Sequence, residues 1–289
     1  MTNKKYKEII VNGIYRVILY IILGLFTFLA IYPILWLLLQ SFKTNQVYLT
    51  TNKLSLPAVW YFGNYPRIWN NAGLSDGFSN FFKNSLIYTT ITVTAVVLFA
   101  NMAGYAFAKI QYRITKLLHG LFIVGILLTI QSILIPLFLM INSAGIFNTR
   151  LGILIPYIGL GLPMGVYLCT DFIKKGIPNE LLESSRIDGA GFLTTFARIV
   201  FPMCAPVSVT LAIITFTGTW NEFILMNLLT AGDRYKAIPA AVGRFAGSLG
   251  ADYGRLFTTL SLSIIPILAF YLAFRNQITK GVAAGAVKG

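Results

Sequence analysis

The side chains able to do chemistry are few, and they are scattered along the chain. There is one histidine, His119, two cysteines, Cys169 and Cys204, and nine carboxylates in 289 residues. A metal centre needs several His, Cys, Asp or Glu at ligand spacing, and a nucleophilic triad needs a base beside its Ser or Cys. Neither cysteine has a partner spacing that suggests a metal or a disulfide framework. Both fall in or beside apolar runs, where cysteine acts as a small apolar filler. No G-x-x-x-x-G-K-[ST] phosphate cradle occurs, and the dipeptide Gly-Lys is never found. Paired aspartates and a G-x-S-x-G elbow are also missing. The sequence therefore predicts no catalytic residue, no metal ligand set and no cofactor bound by this chain.

What remains is a set of polar, uncharged and aromatic side chains embedded in apolar sequence, and the elements that carry them come from hydropathy. Hydrophobic residues make up 56% of the chain and charged residues 11%, against about 25% charged in soluble domains. Mean hydropathy is +0.74. The net charge of +14 fits either nucleic acid or a membrane. A nucleic-acid binder clusters its basic residues on a soluble face, whereas here they lie between long apolar stretches. No nucleic-acid partner is expected.

A spanning helix needs about 20 predominantly apolar residues. Six runs free of Asp, Glu, Lys and Arg approach or exceed that length: 17–42, 84–108, 117–149, 151–170, 199–221 and 256–274. The third is too long for one span and is expected to hold a helix to about Ile141, then a turn through Asn142-Ser143-Ala144-Gly145. The first run is too long for a signal-peptide core and is expected to remain as an anchor. An all-α integral membrane fold with six spans follows, with both termini on one side. Placing the termini inside puts 14 Lys and Arg in 67 internal positions, against 9 in 81 external ones. That bias favours cytoplasmic termini. The expected organisation is an N-terminus over 1–16, a six-helix domain over 17–276 and a tail over 277–289. The domain includes an internal loop at 178–200 and external loops at 43–83 and 227–255.

Six prolines (33, 136, 156, 163, 206 and 266) fall inside the runs and imply kinked, bundled helices. Gly161 and Gly165, and the pair Ala100 and Gly104, have the spacing of close helix contacts. Every Asp, Glu, Lys and Arg lies outside the six cores, with Glu222 at the outer edge of the fifth, so coupling to an ion gradient through buried carboxylates is not expected. A path for a neutral, hydroxyl-rich solute needs uncharged polar and aromatic groups. The candidates are Asn101, Gln131, Ser132, Tyr157, Phe216, Thr217 and Trp220.

The internal loop reads IPNELLESSRIDGAGFLTTFARIVFPMCAP from Ile177 to Pro206. Asn179 is a candidate N-cap and Glu180 suits the positive end of the helix dipole. Asp188-Gly189 predicts a helix end closed by a left-handed glycine. Phe192, Phe196, Ile199 and Val200 then recur at helical spacing. This stretch resembles the coupling-loop signature of ABC importer permeases, in which Glu-Ala-Ala precedes Asp-Gly-Ala and a patterned Phe, Ile, Pro, Pro. Glu183, Asp188, Gly189, Ala190, Phe196, Ile199, Pro202 and Pro206 match; Ser184 and Ser185 replace the two alanines and are also small. Asn64-Tyr65, Phe82, Asn84-Ser85, Trp220-Asn221-Glu222-Phe223 and the terminal Gly285-Ala286-Val287-Lys288-Gly289 resemble the oligosaccharide-uptake branch, of the maltose-transporter type.

The resemblance implies a type I importer permease in a bacterial cell membrane, with a cytoplasmic coupling helix made by residues 183–190. It implies a heterodimer with a second permease, two ABC ATPase subunits that hold ATP and Mg, and an extracellular solute-binding protein. Asp233, Gly243 and Gly247 are then expected to face the binding protein, and the tail to enter between the ATPase subunits, ordered only in the complex because it is too glycine-rich to form a helix alone. The cargo implied is an oligosaccharide or glycoside. A polyol or glycerol-phosphate importer, or a secondary carrier, remains an alternative at this point.

Overall fold

The computed structural model describes residues 2–71, 77–110, 112–246 and 252–286, and every regular element among them is helical. Helix α1 (Thr2–Gln40) is followed by the short α2 (Asn45–Thr50) and α3 (Asn64–Asn71), and then by α4 (Gly77–Lys109). Next come α5 (Arg113–Leu127), α6 (Ile130–Ser143) and α7 (Arg150–Gly176). A short helix α8 (Asn179–Ile187) leads to α9 (Phe192–Thr195), a π-helical turn (Phe196–Val200), α10 (Phe201–Met203) and α11 (Ala205–Trp220). The chain ends with α12 (Ile224–Leu229), α13 (Ile238–Ala246) and α14 (Tyr253–Ala286). Four of these contain spans long and apolar enough to cross a membrane: 13–40, 77–109, 150–176 and 253–275. Two bent pairs, each counted as one span, bring the number of apolar spans among the described residues up to six.

The bends are where the spans depart from expectation. Between α5 and α6 the axis turns by 109°, with no proline at the break. Leu128 and Thr129 leave the helix in extended conformation (ψ 116° and 144°), so the third span is two helices, not one. Its far end is as expected: Gly145 adopts φ +70°, and its N–H and that of Ile146 return to the carbonyls of Asn142 and Ile141. The fifth span bends by 75° at Cys204, between Pro202 and Pro206. Each proline lacks the N–H for a bond to the carbonyl four residues back. Just upstream, the Phe201 N–H reaches Phe196 O, an i to i−5 bond. Pro33, Pro136, Pro156, Pro163 and Pro266 sit within continuous helices.

The chain forms two compact units, residues 1–68 with 245–263 and residues 69–244 with 264–289. In the first, buried Asn64 donates from Nδ2 to the carbonyls of Ser41 and Lys43, both at 2.9 Å. Tyr65 Oη lies 2.8 Å from Ser41 Oγ and 3.2 Å from Ser261 Oγ. Lys43 is 1% exposed; its Nζ donates to Ser55 O at 2.7 Å, and burial pushes its pKa down. The Asn-Tyr pair thus ties the end of the first apolar helix to the start of α14. Large apolar side chains of α1 from Ile14 to Leu35 are exposed.

The second unit is built on α4 against α7. A Cβ at Gly161 falls 2.8 Å from Val96 Cγ2, one at Gly165 falls 2.8 Å from Ala100 Cβ, and one at Gly104 falls 2.8 Å from Cys169 Cβ. The small-residue spacing read from sequence is therefore a single seam four residues in period, and the two backbones approach as closely as side chains allow. Val96, Ala100, Val166, Cys169, Val207 and Leu211 fill the core around it.

Three boundaries differ from the sequence reading. Helix α1 starts at Thr2, so residues 2–16 belong to the same helix as the first span, and α4 starts at Gly77, seven residues before the apolar run. The tail is helical through Ala286, because extending an existing helix avoids the nucleation cost that bars an isolated one; Val287, Lys288 and Gly289 lie outside the described residues.

Overpacking a tight core costs about 1–3 kcal/mol. Gly165→Leu is expected to lower the thermal unfolding midpoint of the detergent-purified protein. Gly159→Leu on the same helix, where a Cβ meets nothing within 4 Å, should not. Equal midpoints would show that the seam is not tight.

Candidate functional site

Helix α8 is short, and three contacts fix it and the α9 that follows. Its C-terminus closes with both bonds of a glycine-terminated cap: Ala190 N–H donates to Ser185 O at 2.9 Å and Gly189 N–H to Arg186 O at 3.0 Å. Gly189 has φ +79°, the left-handed conformation expected from sequence. At the N-terminus the expectation fails. Pro178, not Asn179, occupies the cap, with φ −61° and ψ 145°. Proline's fixed φ already suits that position, leaving the Asn179 side chain free for another partner: its Oδ1 accepts from Lys109 Nζ at 2.8 Å, and Lys109 also donates to Ile177 O at 2.8 Å. The third contact is aromatic. Tyr105 stacks on Phe192 with ring centroids 4.5 Å apart.

These contacts bind α8 and α9 to the last turns of α4, and neither Tyr105 nor Lys109 was singled out from sequence. A lysine in the last turn of an apolar helix was the available signal, but it reads equally as an interfacial charge. Leu182 and Ser185 face inward, and Ser185 Oγ lies 3.2 Å from Thr195 Oγ1. Where the family pattern has alanine, this serine bonds across the turn. Glu183, Ser184, Asp188 and Gly189 are exposed, and Ile187 is 86% exposed. Glu183 shares a cleft of about 400 Å³ with Lys109, Lys174 and Arg186.

The seven path candidates separate into groups. Tyr157 lines a cavity of about 270 Å³ with Gly161, Met164, Leu211, Gly218 and Glu222. Its hydroxyl donates to Glu222 Oε2 at 2.8 Å. The same carboxylate accepts the N–H groups of Leu225 (2.8 Å) and Met226 (3.0 Å), satisfying the first turn of α12. Glu222 is thus part of the cavity, a role its place at the edge of an apolar run did not reveal. Phe216 and Trp220 belong elsewhere: they stack on one another, and Phe216 stacks on Phe270 at 3.7 Å. Asn101 is fully buried and bridges α4 to α11 through Ser208 Oγ at 2.9 Å. Gln131, Ser132 and Thr217 are exposed and do not line the cavity.

Residues 230–246, expected to be loop, are instead stapled to α4. Asn84 Nδ2 donates to the carbonyls of Arg234 and Lys236, Tyr88 Oη donates to Tyr235 O, and Ile238 N–H donates to Ser85 Oγ, each at 2.9 Å. Pro239 and Gly243 lie inside α13. Proline is tolerated there because the first helical turn lacks partners for its N–H groups. Asp233, expected to face a partner, is 8% exposed, and Gly243 abuts the Phe223 ring. Gly247 lies outside the described residues.

Up to six apolar spans, with a short capped helix between the fourth and fifth, are the element order of a membrane permease fold. The chain belongs to the family described as binding-protein-dependent transport system inner membrane components, which matches residues 3–283. It is 32% identical to the multiple sugar-binding transport system permease protein MsmG of Streptococcus mutans, over 93% of this chain and 96% of that one. It is 29% identical to the diacetylchitobiose uptake system permease protein NgcG of Streptomyces coelicolor (92% and 87%). The trehalose/maltose transport system permease protein MalG of Thermococcus litoralis is 28% identical (95% and 97%). The fold of the present chain matches a chain in the crystal structure of a bacterial ABC transporter involved in the import of the acidic polysaccharide alginate, with TM-score 0.79 at 21% identity, over 92% of this chain and 97% of that one.

At Gly189 a Cβ meets nothing within 4 Å, so a substitution there acts through backbone conformation alone. Valine at a left-handed position costs about 1–2 kcal/mol. Gly189→Val should raise amide exchange across residues 182–190 and leave membrane abundance unchanged. Gly189→Asn, which tolerates that conformation, should stay close to wild type. Equal exchange in all three would remove the cap from the account.

Proposed function

We propose that the chain is one permease subunit of an ATP-driven, binding-protein-dependent carbohydrate importer, carrying an oligosaccharide or glycoside and catalysing no reaction itself. Helix α8 carries this reading. It is fastened to α4 by Lys109, with the following α9 held to α4 by Tyr105, yet presents Glu183, Ser184, Ile187 and Asp188 outward. A helix held on one side and bare on the other can receive force from a docked ATPase and pass it to the spans. Residues 183–190 are the docking element in this proposal, and ATP and Mg reside on the two ATPase subunits.

The exposed apolar surface of α1 suits a second, homologous permease. The termini and α8 lie in the cytoplasm, following the Lys and Arg bias. The turn at Gly232 and helix α13 face the solute-binding protein, in place of the buried Asp233. The carbohydrate assignment draws on the sugar-transport names of the relatives. A glycerol-phosphate cargo fits less well, since the cavity is lined by Glu222 and by no Lys or Arg.

The test is uptake into proteoliposomes holding the whole complex and its binding protein, with labelled maltotriose, raffinose and trehalose as probes. Uptake should need ATP and survive a protonophore; uptake without ATP that a protonophore abolishes indicates a secondary carrier. For orientation, the buried Cys169 and Cys204 are replaced by Ala. A single cysteine at Leu56 should then react with an impermeant thiol reagent added outside cells, and one at Ile187 should not. The opposite pattern reverses the topology.

A further inference from the structure

We propose that the cavity between α6, α7, α11 and α12 is a subsite for one ring of a neutral carbohydrate, gripped through the cargo's hydroxyl donors. This rests on the carbohydrate reading above and assigns that cargo a place in this chain. The argument starts from which hydrogen-bonding capacity is left unused. Tyr157 has one proton and gives it to Glu222 Oε2, so toward the cavity its oxygen can only accept. Glu222 accepts three bonds, from Leu225, Met226 and Tyr157, out of about four lone-pair sites. The capacity that remains is again an acceptor. Thr215 and Thr219 add hydroxyls to the same wall.

A ligand that satisfies this end must bring hydrogen-bond donors, which a carbohydrate supplies as O–H groups. An anionic ligand brings acceptors and negative charge against a carboxylate, which specificity by repulsion excludes. The remaining walls, from Leu160, Met164, Leu211 and Ile214, are apolar and suit the C–H faces of a sugar ring. Size sets the extent of the cargo that fits. The cavity, about 270 Å³, lies just below the roughly 300 Å³ at the small end of ligand pockets. One ring fits, and the rest of an oligosaccharide extends beyond it.

Gly218 provides the test, because it lines the cavity and a Cβ there meets nothing within 4 Å. Gly218→Leu should fill the space without displacing a neighbour. In the reconstituted complex, with maltotriose, raffinose and trehalose as probes, Gly218→Leu should lower uptake about tenfold or more, the scale of losing one or two ligand hydrogen bonds. The yield of complex and its thermal midpoint should hold or rise. Gly218→Ala, which leaves most of the volume, should lower uptake less than Gly218→Leu, and Tyr157→Phe should cost about threefold to tenfold.

Wild-type uptake by Gly218→Leu would make the cavity a packing void and overturn the proposal. Loss of the companion permease from purified Gly218→Leu complex would assign the cavity to the subunit interface and overturn it equally. A wild-type complex that carries none of the three probes would instead remove the carbohydrate reading, and the subsite with it.

Discussion

The close approach of α4 and α7 is the constraint on which the second unit depends. In lipid the hydrophobic effect does not drive one apolar helix onto another, so association comes from packing and from a few polar bridges. Gly104, Gly161 and Gly165 remove the side chains that would hold these helices apart, with Val96, Ala100 and Cys169 filling the opposing positions. Each contact is snug enough that a single methyl group cannot be added without movement. The Asn101–Ser208 hydrogen bond then fixes α11 to the same seam.

Because α4 is clamped at its middle, both its ends become anchor points. Its 33 residues extend about 50 Å. At one end Lys109 and Tyr105 hold α8 and α9, the segment proposed to meet the ATPase. At the other end Asn84, Ser85 and Tyr88 hold residues 234–238, the segment proposed to lie beneath the binding protein. The cavity with Tyr157 and Glu222 sits beside the seam, lined in part by Gly161. One continuous helix thus carries both segments proposed to meet partners.

Much of this was legible in the residues. Hydropathy located the six spans, the small-residue spacing located the seam, and Asp188-Gly189 located the end of α8. All three rest on local rules: a length, a period, a backbone conformation open to glycine. What was not legible depends on tertiary partners. The bend at Leu128–Thr129 contains no Pro or Gly. Asn179 reads as a cap in sequence, but its side chain accepts from Lys109. Pro239 and Gly243 read as loop formers, although a proline in the first turn and a glycine against Phe223 are compatible with a helix. Glu222 looked like an interfacial charge because nothing in sequence brings Tyr157, 65 positions away, onto its carboxylate.

The central claim is that α8 and α4 move as one body. It can be measured as the distance between spin labels at Ile187 on α8 and Leu86 near the opposite end of α4, both exposed, in the assembled complex. The account predicts the same distance distribution in the nucleotide-free and ATP-bound states, while distances from Ile187 to the companion permease change. A shift or broadening of the Ile187–Leu86 distribution on ATP binding would mean that α8 slides on α4, and would contradict it.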